Sequence, residues 1–538
     1  MKINKIYWLL ISILFVACVE EIDDLNFTPL TPEVAFPIGK FTLQADQLTK
    51  ISDSLFVQEG DQGIIELYYE IEVLRSLLFD KLSIPNQSFN ETIPFSSFVF
   101  VGGTVNEVKF SQYGSFTLNN SDLPSPAPTL EQVIFKAGSI NIGQVKNFDH
   151  QLVTTITFPK LIQNGNAISI ELTGNESESL SLISADLDLT GISGTESNTL
   201  DFEISTVVTN TGTDGSGIIN YDFSLTDMEF SFVKGDLRSY QFDEINSDFD
   251  VGLPQDQVPD NIGFTNPQIE ISTFNTSGIE FGLDINEVTV TEEDGSVVQI
   301  TGTYNDATFL AAQASTPGET MRSDFFINKT NTDNLVPLLN NIPSSVFFSG
   351  AAGTNPNGTP PELNFVTDSS EILINARLIL PLEGYVNDYA YKDTITANLE
   401  IDSDGVITLE KLALKLQVEN SFPFSIGLQM YFLDSINDSI ILDSLFLTKE
   451  DQRLFKAAQV DNTGLVVTPS IETNEISLDR EKYERIKDAG SIAIVATILT
   501  PGANASPIES IKVSSTNYFT IGIGLFAEAY IDPNSIDN

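Results

Sequence analysis

Ile64-Ile65-Glu66-Leu67-Tyr68-Tyr69-Glu70-Ile71-Glu72-Val73 follows a turn-rich stretch, Glu59-Gly60-Asp61-Gln62-Gly63, and alternates apolar with polar side chains. A period of two puts every second side chain on one face of an extended strand, so the segment predicts a β-strand with one face buried. Working outward, the same alternation recurs at Phe116–Leu118, Ile134–Phe135, Leu152–Phe158, Ala167–Leu172, Leu180–Leu189, Leu200–Val208 and Ile218–Phe232. Gly, Asn, Asp and Ser clusters interrupt these runs at short intervals, as expected of antiparallel strands joined by tight turns. Helical signals are few. Leu335, Leu338 and Leu339 share a face after Thr332-Asp333, with Pro343 as the stop. Asp479 opens a segment in which Tyr483 and Ile486 share a face and Gly490 is placed as the C′ residue. The expected fold is mainly β, a multi-domain antiparallel β-sandwich-like architecture with two short helices.

Irregular stretches suggest where domains part. Asn119–Thr129, with three prolines, reads as a long loop. Gly252–Gln268 and the small-residue stretch Ser349–Pro361 read as boundaries, the second as a linker or surface loop. These breaks predict β domains over 34–255, 256–360 and 361–538. One internal repeat stands out. Asn275 to Ile285 aligns without gaps on Asn420 to Met430, sharing Asn, two residues, Gly or Pro, then apolar-x-apolar-Gly-Leu-x-apolar. Each copy follows an alternating strand, and Gly278 or Pro423 marks a bend. The strand-bend-strand pattern resembles that of the small β-sandwich in water-stress and hypersensitive-response proteins.

The N-terminus carries a different signal. Lys2 and Lys5 precede an apolar run, Ile6–Ala17, that ends at Cys18, the only cysteine. A membrane-spanning helix needs about 20 apolar residues, so this run suits a secretory signal instead. Phe15-Val16-Ala17-Cys18 resembles the lipobox of bacterial lipoproteins, with Phe15 where that family usually has Leu. The resemblance implies a signal peptide over 1–17, acylation of Cys18 and a tether over 18–33. Each buried methylene contributes about 0.8 kcal/mol, so several acyl chains anchor a protein durably. Glu20, Glu21, Asp23 and Asp24 resemble the acidic export tag of Bacteroidetes lipoproteins that face the cell exterior.

Composition narrows the function. A formal charge of −49 disfavours nucleic acid and anionic headgroups as partners. On the lipobox resemblance the lipid would use the only thiol; one histidine (His150) excludes multi-histidine metal sites, and the only tryptophan (Trp8) lies in the expected leader. His150 lacks a nucleophile elbow near it in sequence, and the 350–358 stretch lacks the Lys-Ser/Thr of a P-loop. Glu400–Ile407 (EIDSDGVI) imitates part of an EF-hand loop but places Lys411 at the twelfth position, so a hairpin with an Asp-Gly turn is expected. Glu292-Glu293-Asp294-Gly295 reads as a similar turn, with adventitious calcium left open at both. Asp53-Ser54-Leu55, Asp393-Thr394-Ile395 and three triplets within 434–445 resemble the Asp-Ser/Thr-apolar acceptor of Bacteroidetes O-glycosylation, which implies modification at Ser435, Ser439 and Ser444.

The sequence therefore predicts an acidic, surface-displayed outer-membrane lipoprotein with no catalytic residues, no cofactor and a non-enzymatic binding, adhesion or structural role. Its partners would be the membrane, through the lipid, and an envelope protein or polysaccharide. Three alternatives stay open: a carrier of an apolar ligand, a glycan-capture component beside a nutrient transporter, and a hydrolase working with a pair of carboxylates in a deep acidic cleft.

Overall fold

The computed structural model describes residues 31–531 except 46, 48–55, 79–85, 96–105, 119–127, 191–197, 213–215, 252–261, 293, 341–342, 359–363, 400–406, 447–452 and 501–509. These residues form 33 strands, β1 to β33 in chain order, and two α-helices, α1 (Leu335–Asn340) and α2 (Arg480–Ile486). All ladders are antiparallel. The mainly β, multi-sandwich architecture follows from the alternation: Ile65, Leu67 and Tyr69 are buried while Glu66, Tyr68 and Glu70 between them are partly exposed.

The strands assemble into three units. The largest holds β4 (Gln87–Phe95), β5 (Glu107–Thr117), β6 (Thr129–Lys146), β7 (Gln151–Gln163), β8 (Asn166–Thr173), β9 (Glu176–Ser181), β10 (Asp186–Asp188), β11 (Thr199–Thr209) and β12 (Gly217–Asp236). It is joined by β21 (Asn364–Thr367) in one ten-stranded sheet. β10 pairs with β6 on one side and β7 on the other, and so joins the β12–β6 and β7–β11 halves of the sheet. Rings from four strands fill the interior, with Phe202 to Phe223 at 4.7 Å, Phe116 to Phe202 at 5.0 Å and Phe89 to Phe116 at 5.5 Å between centroids. The Tyr221 hydroxyl, buried among them, bonds Thr154 and Thr206 at 3.1 and 3.2 Å, which satisfies a group that is costly to bury alone.

The other two units are copies of one sandwich. In the first, a sheet ordered β19 (Met321–Ile327), β15 (Gln268–Asn275), β22 (Glu371–Pro381), β3 (Ile65–Leu77), β2 (Phe56–Glu59) faces a sheet ordered β13 (Ile245–Asp250), β20 (Ser345–Thr354), β16 (Phe281–Thr291), β17 (Val297–Gln299). In the second, β30 (Ser470–Leu478), β24 (Ile407–Asn420), β33 (Tyr518–Ile531), β1 (Glu33–Gln44) faces β23 (Glu383–Thr396), β31 (Ala489–Leu499), β25 (Ser425–Asp434), β26 (Ile441–Ser444). The two orders correspond strand by strand, apart from β2, which has no counterpart in the second sandwich, and β14 (Ile262–Phe264) and β32 (Ile511–Lys512), which pair with β23 and have none in the first. A short extra strand beside β16, β18 (Phe309–Ala311), matches one beside β25, β27 (Arg453–Phe455). Helix α1 precedes β20 as α2 precedes β31.

The eleven-residue repeat is the corner where each chain crosses between sheets. Asn275 Oδ1 accepts the Ser277 N–H at 2.9 Å, and its Nδ2 donates to Ile279 O at 2.8 Å and Ala312 O at 3.3 Å. Asn420 repeats the set: Oδ1 accepts the Phe422 N–H at 2.9 Å, and Nδ2 donates to Phe424 O at 2.9 Å and Lys456 O at 2.8 Å. Beyond the corner Gly282 pairs with Leu310 and Gly427 with Leu454.

Several expectations need correction. The segments 34–255, 256–360 and 361–538 do not each own separate sheets, because β1 pairs with β33 and β3 with β22. Ser349–Thr354 is no linker but part of β20. Its residues are small because neighbours press on it: a Cβ at Gly350 would lie 2.8 Å from Asp284 O, and one at Gly353 2.9 Å from Tyr240 O. Leu180–Leu189 is two strands, β9 and β10, separated where Ser184 takes a positive φ of 61°. Gly490 lies in β31 rather than capping α2, whose C-cap is Lys487; a Cβ there would meet Ser435 Cα at 2.7 Å. Both helices bury the expected side chains, and Asp479 accepts the Lys482 N–H as N-cap.

Candidate functional site

The outer face of the sheet containing β23, β31, β25 and β26 carries an open groove of about 740 Å³. Alternation builds it. Ile492, Ile494 and Ala496 of β31 are buried in the sandwich, which turns Ala493 and Val495 outward. Strand pairing sets Thr394, Ala493 and Tyr431 in one row across the sheet, and Lys392, Val495 and Gln429 in the next. Ala493 is a methyl group between two longer neighbours, so the row dips at its centre. One wall is the Tyr431 ring with Ile441, which is 58% exposed. The other is Lys392 with Thr394, whose backbone N–H donates to Asp393 Oδ1 at 2.7 Å. An aromatic face, an ammonium, a hydroxyl and a methyl floor can hold a ligand by stacking and hydrogen bonding. The lining contains neither imidazole nor thiol.

Cys18, Glu20, Glu21, Asp23 and Asp24 lie outside the described residues, as does Asp53-Ser54-Leu55. The segment 434–445 is the loop and short strand on one side of the groove, and Asp393-Thr394-Ile395, forty residues away in sequence, lies on the other side, with β31 and β25 between them. Ser435 and Ser439 are exposed. Ser444 is half-buried and its hydroxyl donates to Phe446 O at 2.8 Å, so it is the least accessible of the three. The carboxylates of these triplets hold the loop. Asp434 Oδ1 accepts the N–H groups of Ile436 and Asn437, and Asp438 Oδ1 accepts the Ser491 hydroxyl at 2.9 Å. Partial burial works against charge on Asp443, but hydrogen bonds from Arg485 and the Ser444 N–H prevail and hold its carboxyl below the usual carboxylate range.

His150 is buried at one end of the ten-stranded unit, with Nδ1 3.4 Å from the Thr211 N and 3.5 Å from its hydroxyl. Glu292, Asp294 and Gly295 take part in the expected turn: Glu292 N–H donates to Ser296 O at 2.8 Å and Gly295 takes a φ of 81°. The hairpin expected at Glu400–Ile407 falls on residues 400–406, which lie outside the described residues; β23 and β24 on either side belong to different sheets. Among the described residues no group of three or more His, Cys, Asp and Glu side chains is placed to hold a metal ion.

Sequence reasoning missed a charged row across the first sandwich. Glu270, 6% exposed, sits between Arg322 at 2.8 Å and Arg377 at 3.8 Å, and Arg377 also pairs with Glu70 at 2.9 Å. Arg377 lies over the Tyr68 ring and Arg322 over Phe274. The one available signal was a glutamate in the middle of the otherwise apolar start of Gln268–Asn275.

No protein-family model matches the chain, and no curated protein matches it. Among solved structures, a protein from Parabacteroides distasonis ATCC 8503 described as secreted is 14% identical, covering 55% of this chain and 90% of its own, with a TM-score of 0.28. The infectious bursal disease virus Gx strain structure is 9% identical over 86% of this chain and 83% of its own, with a TM-score of 0.14. The VP2 subviral particle of the same virus is 10% identical over 86% and 85%, with a TM-score of 0.13. Likenesses this slight carry no argument about fold or function.

Proposed function

We propose that the chain is an outer-membrane lipoprotein, displayed on the cell exterior, that acts by binding rather than by catalysis. The anchor rests on the sequence Phe15-Val16-Ala17-Cys18 after its apolar run. The binding role is carried by the groove between Tyr431 and Lys392, which offers an aromatic ring, an ammonium and a hydroxyl as ligand contacts. Tyr431 supplies an aromatic face of the kind sugars stack on, which favours a polysaccharide over an envelope protein as the first ligand to test.

Two substitutions test the two halves. Cys18→Ala should move the protein from the detergent phase to the aqueous phase; unchanged partitioning would place the anchor elsewhere. Ala493→Arg fills the floor of the groove from a position already facing solvent, so folding should survive. Retardation of the protein in polysaccharide-containing gels should fall at least about tenfold, the effect of losing roughly 1.4 kcal/mol of contact. Retardation unaffected by Ala493→Arg would remove the groove from the proposal.

A further inference from the structure

We propose that the two sandwiches form a stalk that holds the ten-stranded unit away from the membrane, so that the N-terminally anchored chain presents that unit outermost. This rests on the acylation of Cys18 proposed above. The described chain enters at one end of the second sandwich, where Val34 pairs with Ala527, Ala527 with Leu412 and Leu412 with Leu478. Helix α2 and the turn at 435–440 occupy that same end, next to the groove. At the opposite end Leu43 pairs with Phe519 and Phe519 with Asn420.

That opposite end carries the first sandwich. Pro381 closes β22 and Glu383 opens β23, with only Leu382 between them. Leu382 N–H donates to Ile65 O at 2.8 Å, Val513 N–H to Leu382 O at 2.9 Å and Ile65 N–H to Val513 O at 3.0 Å, which ties the two sandwiches end to end. The far end of the first sandwich, where Asn275 pairs with Ile372 and Ile372 with Ser76, bears the ten-stranded unit. There β21 pairs with β12, Leu78 N–H donates to Ser370 O, and Lys136 meets Asp368 at 2.9 Å. Asp149 and His150 lie at the other extremity of that unit, beyond the Lys146–Ile219 pair.

Nesting explains the order. The ten-stranded unit is inserted after β3 of the first sandwich, and that sandwich is inserted after β1 of the second. Each insertion moves later strands back toward the anchor. The longest strands have 14 residues in the second sandwich, 13 in the first and 20 in the ten-stranded unit. At about 3.3 Å per residue these place the far tip on the order of 100 Å beyond the point of chain entry. Residues 18–32 add at most about 50 Å when extended. The groove of Tyr431 and Lys392 therefore stays on the membrane side, and the tip at Asp149 meets the surroundings first.

The acylated full chain, whose own thiol is consumed by lipid, can carry one added cysteine. Ser439→Cys marks the anchored end and Asp149→Cys the tip; both positions are exposed. With a donor dye there and acceptor lipids in liposomes, energy transfer should be several-fold higher at Ser439→Cys than at Asp149→Cys. Equal transfer, or more at Asp149→Cys, would overturn the proposal. If the chain does not float with liposomes, the acylation reading fails and the membrane order falls with it. The full chain carrying Cys18→Ser and both labels then judges the row by itself: transfer between the two sites should be undetectable, and strong transfer would show that the units fold back on one another.

Discussion

Asn275 and Asn420 show how one side chain fixes a change of direction. When a strand leaves one sheet for the facing one, its backbone groups lose their ladder partners inside the core. The amide of asparagine replaces them with one acceptor and two donors, a combination that a carboxylate cannot supply. Asn420→Ala should leave the Phe422 N–H and the Phe424 and Lys456 carbonyls unpaired in a site that is 1% exposed. The expected loss is about 2–4 kcal/mol, read as a lower urea midpoint with an unchanged slope. Asn420→Asp should not rescue it, since two carbonyls would then face a group without N–H. The asparagines were legible as a repeat because both copies kept Asn, Gly and Leu at the same spacing. The charged row of Glu70, Arg377, Glu270 and Arg322 was not, since its members come from four strands and are neighbours only through register.

Among elements, β1 is the most informative. Its alternation announces a strand, but its partner is β33, almost 500 residues later. Phe41 and Leu43 are buried in the second sandwich, with the Phe41 ring near Tyr391 and Phe519. The pair Phe41→Ala and Leu43→Ala should destabilise that sandwich by about 4–8 kcal/mol, from lost burial and the cavities left behind. Limited proteolysis should then cut first within 383–531 rather than near the substitutions; first cuts in the ten-stranded unit would contradict the pairing. β20 teaches the converse. Its Ser-Gly-Ala-Ala-Gly-Thr looks like a linker because composition reports small residues without reporting why they are small. Close packing by Asp284, Tyr240 and Gln241 is the reason.

For the whole molecule, the chain is a set of nested insertions: β1 of the second sandwich, and β2 and β3 of the first, are each separated from the rest of their sandwich by an entire unit. Contiguous domain borders could not express this, and the alternation of 34–255 gave no hint that β1 and β3 belong to different sandwiches. By itself the sequence determined the β class, the two short helices and the corner repeat, because side-chain period and local hydrogen bonding act within a few residues. It also carries the leader whose reading as an anchor underlies the proposed function. Only the tertiary structure decided that the repeat extends to a whole sandwich and that Thr394 and Tyr431 share a groove. These depend on which strand edges meet, and edges separated by hundreds of residues are matched by complementary burial and register that no local pattern records.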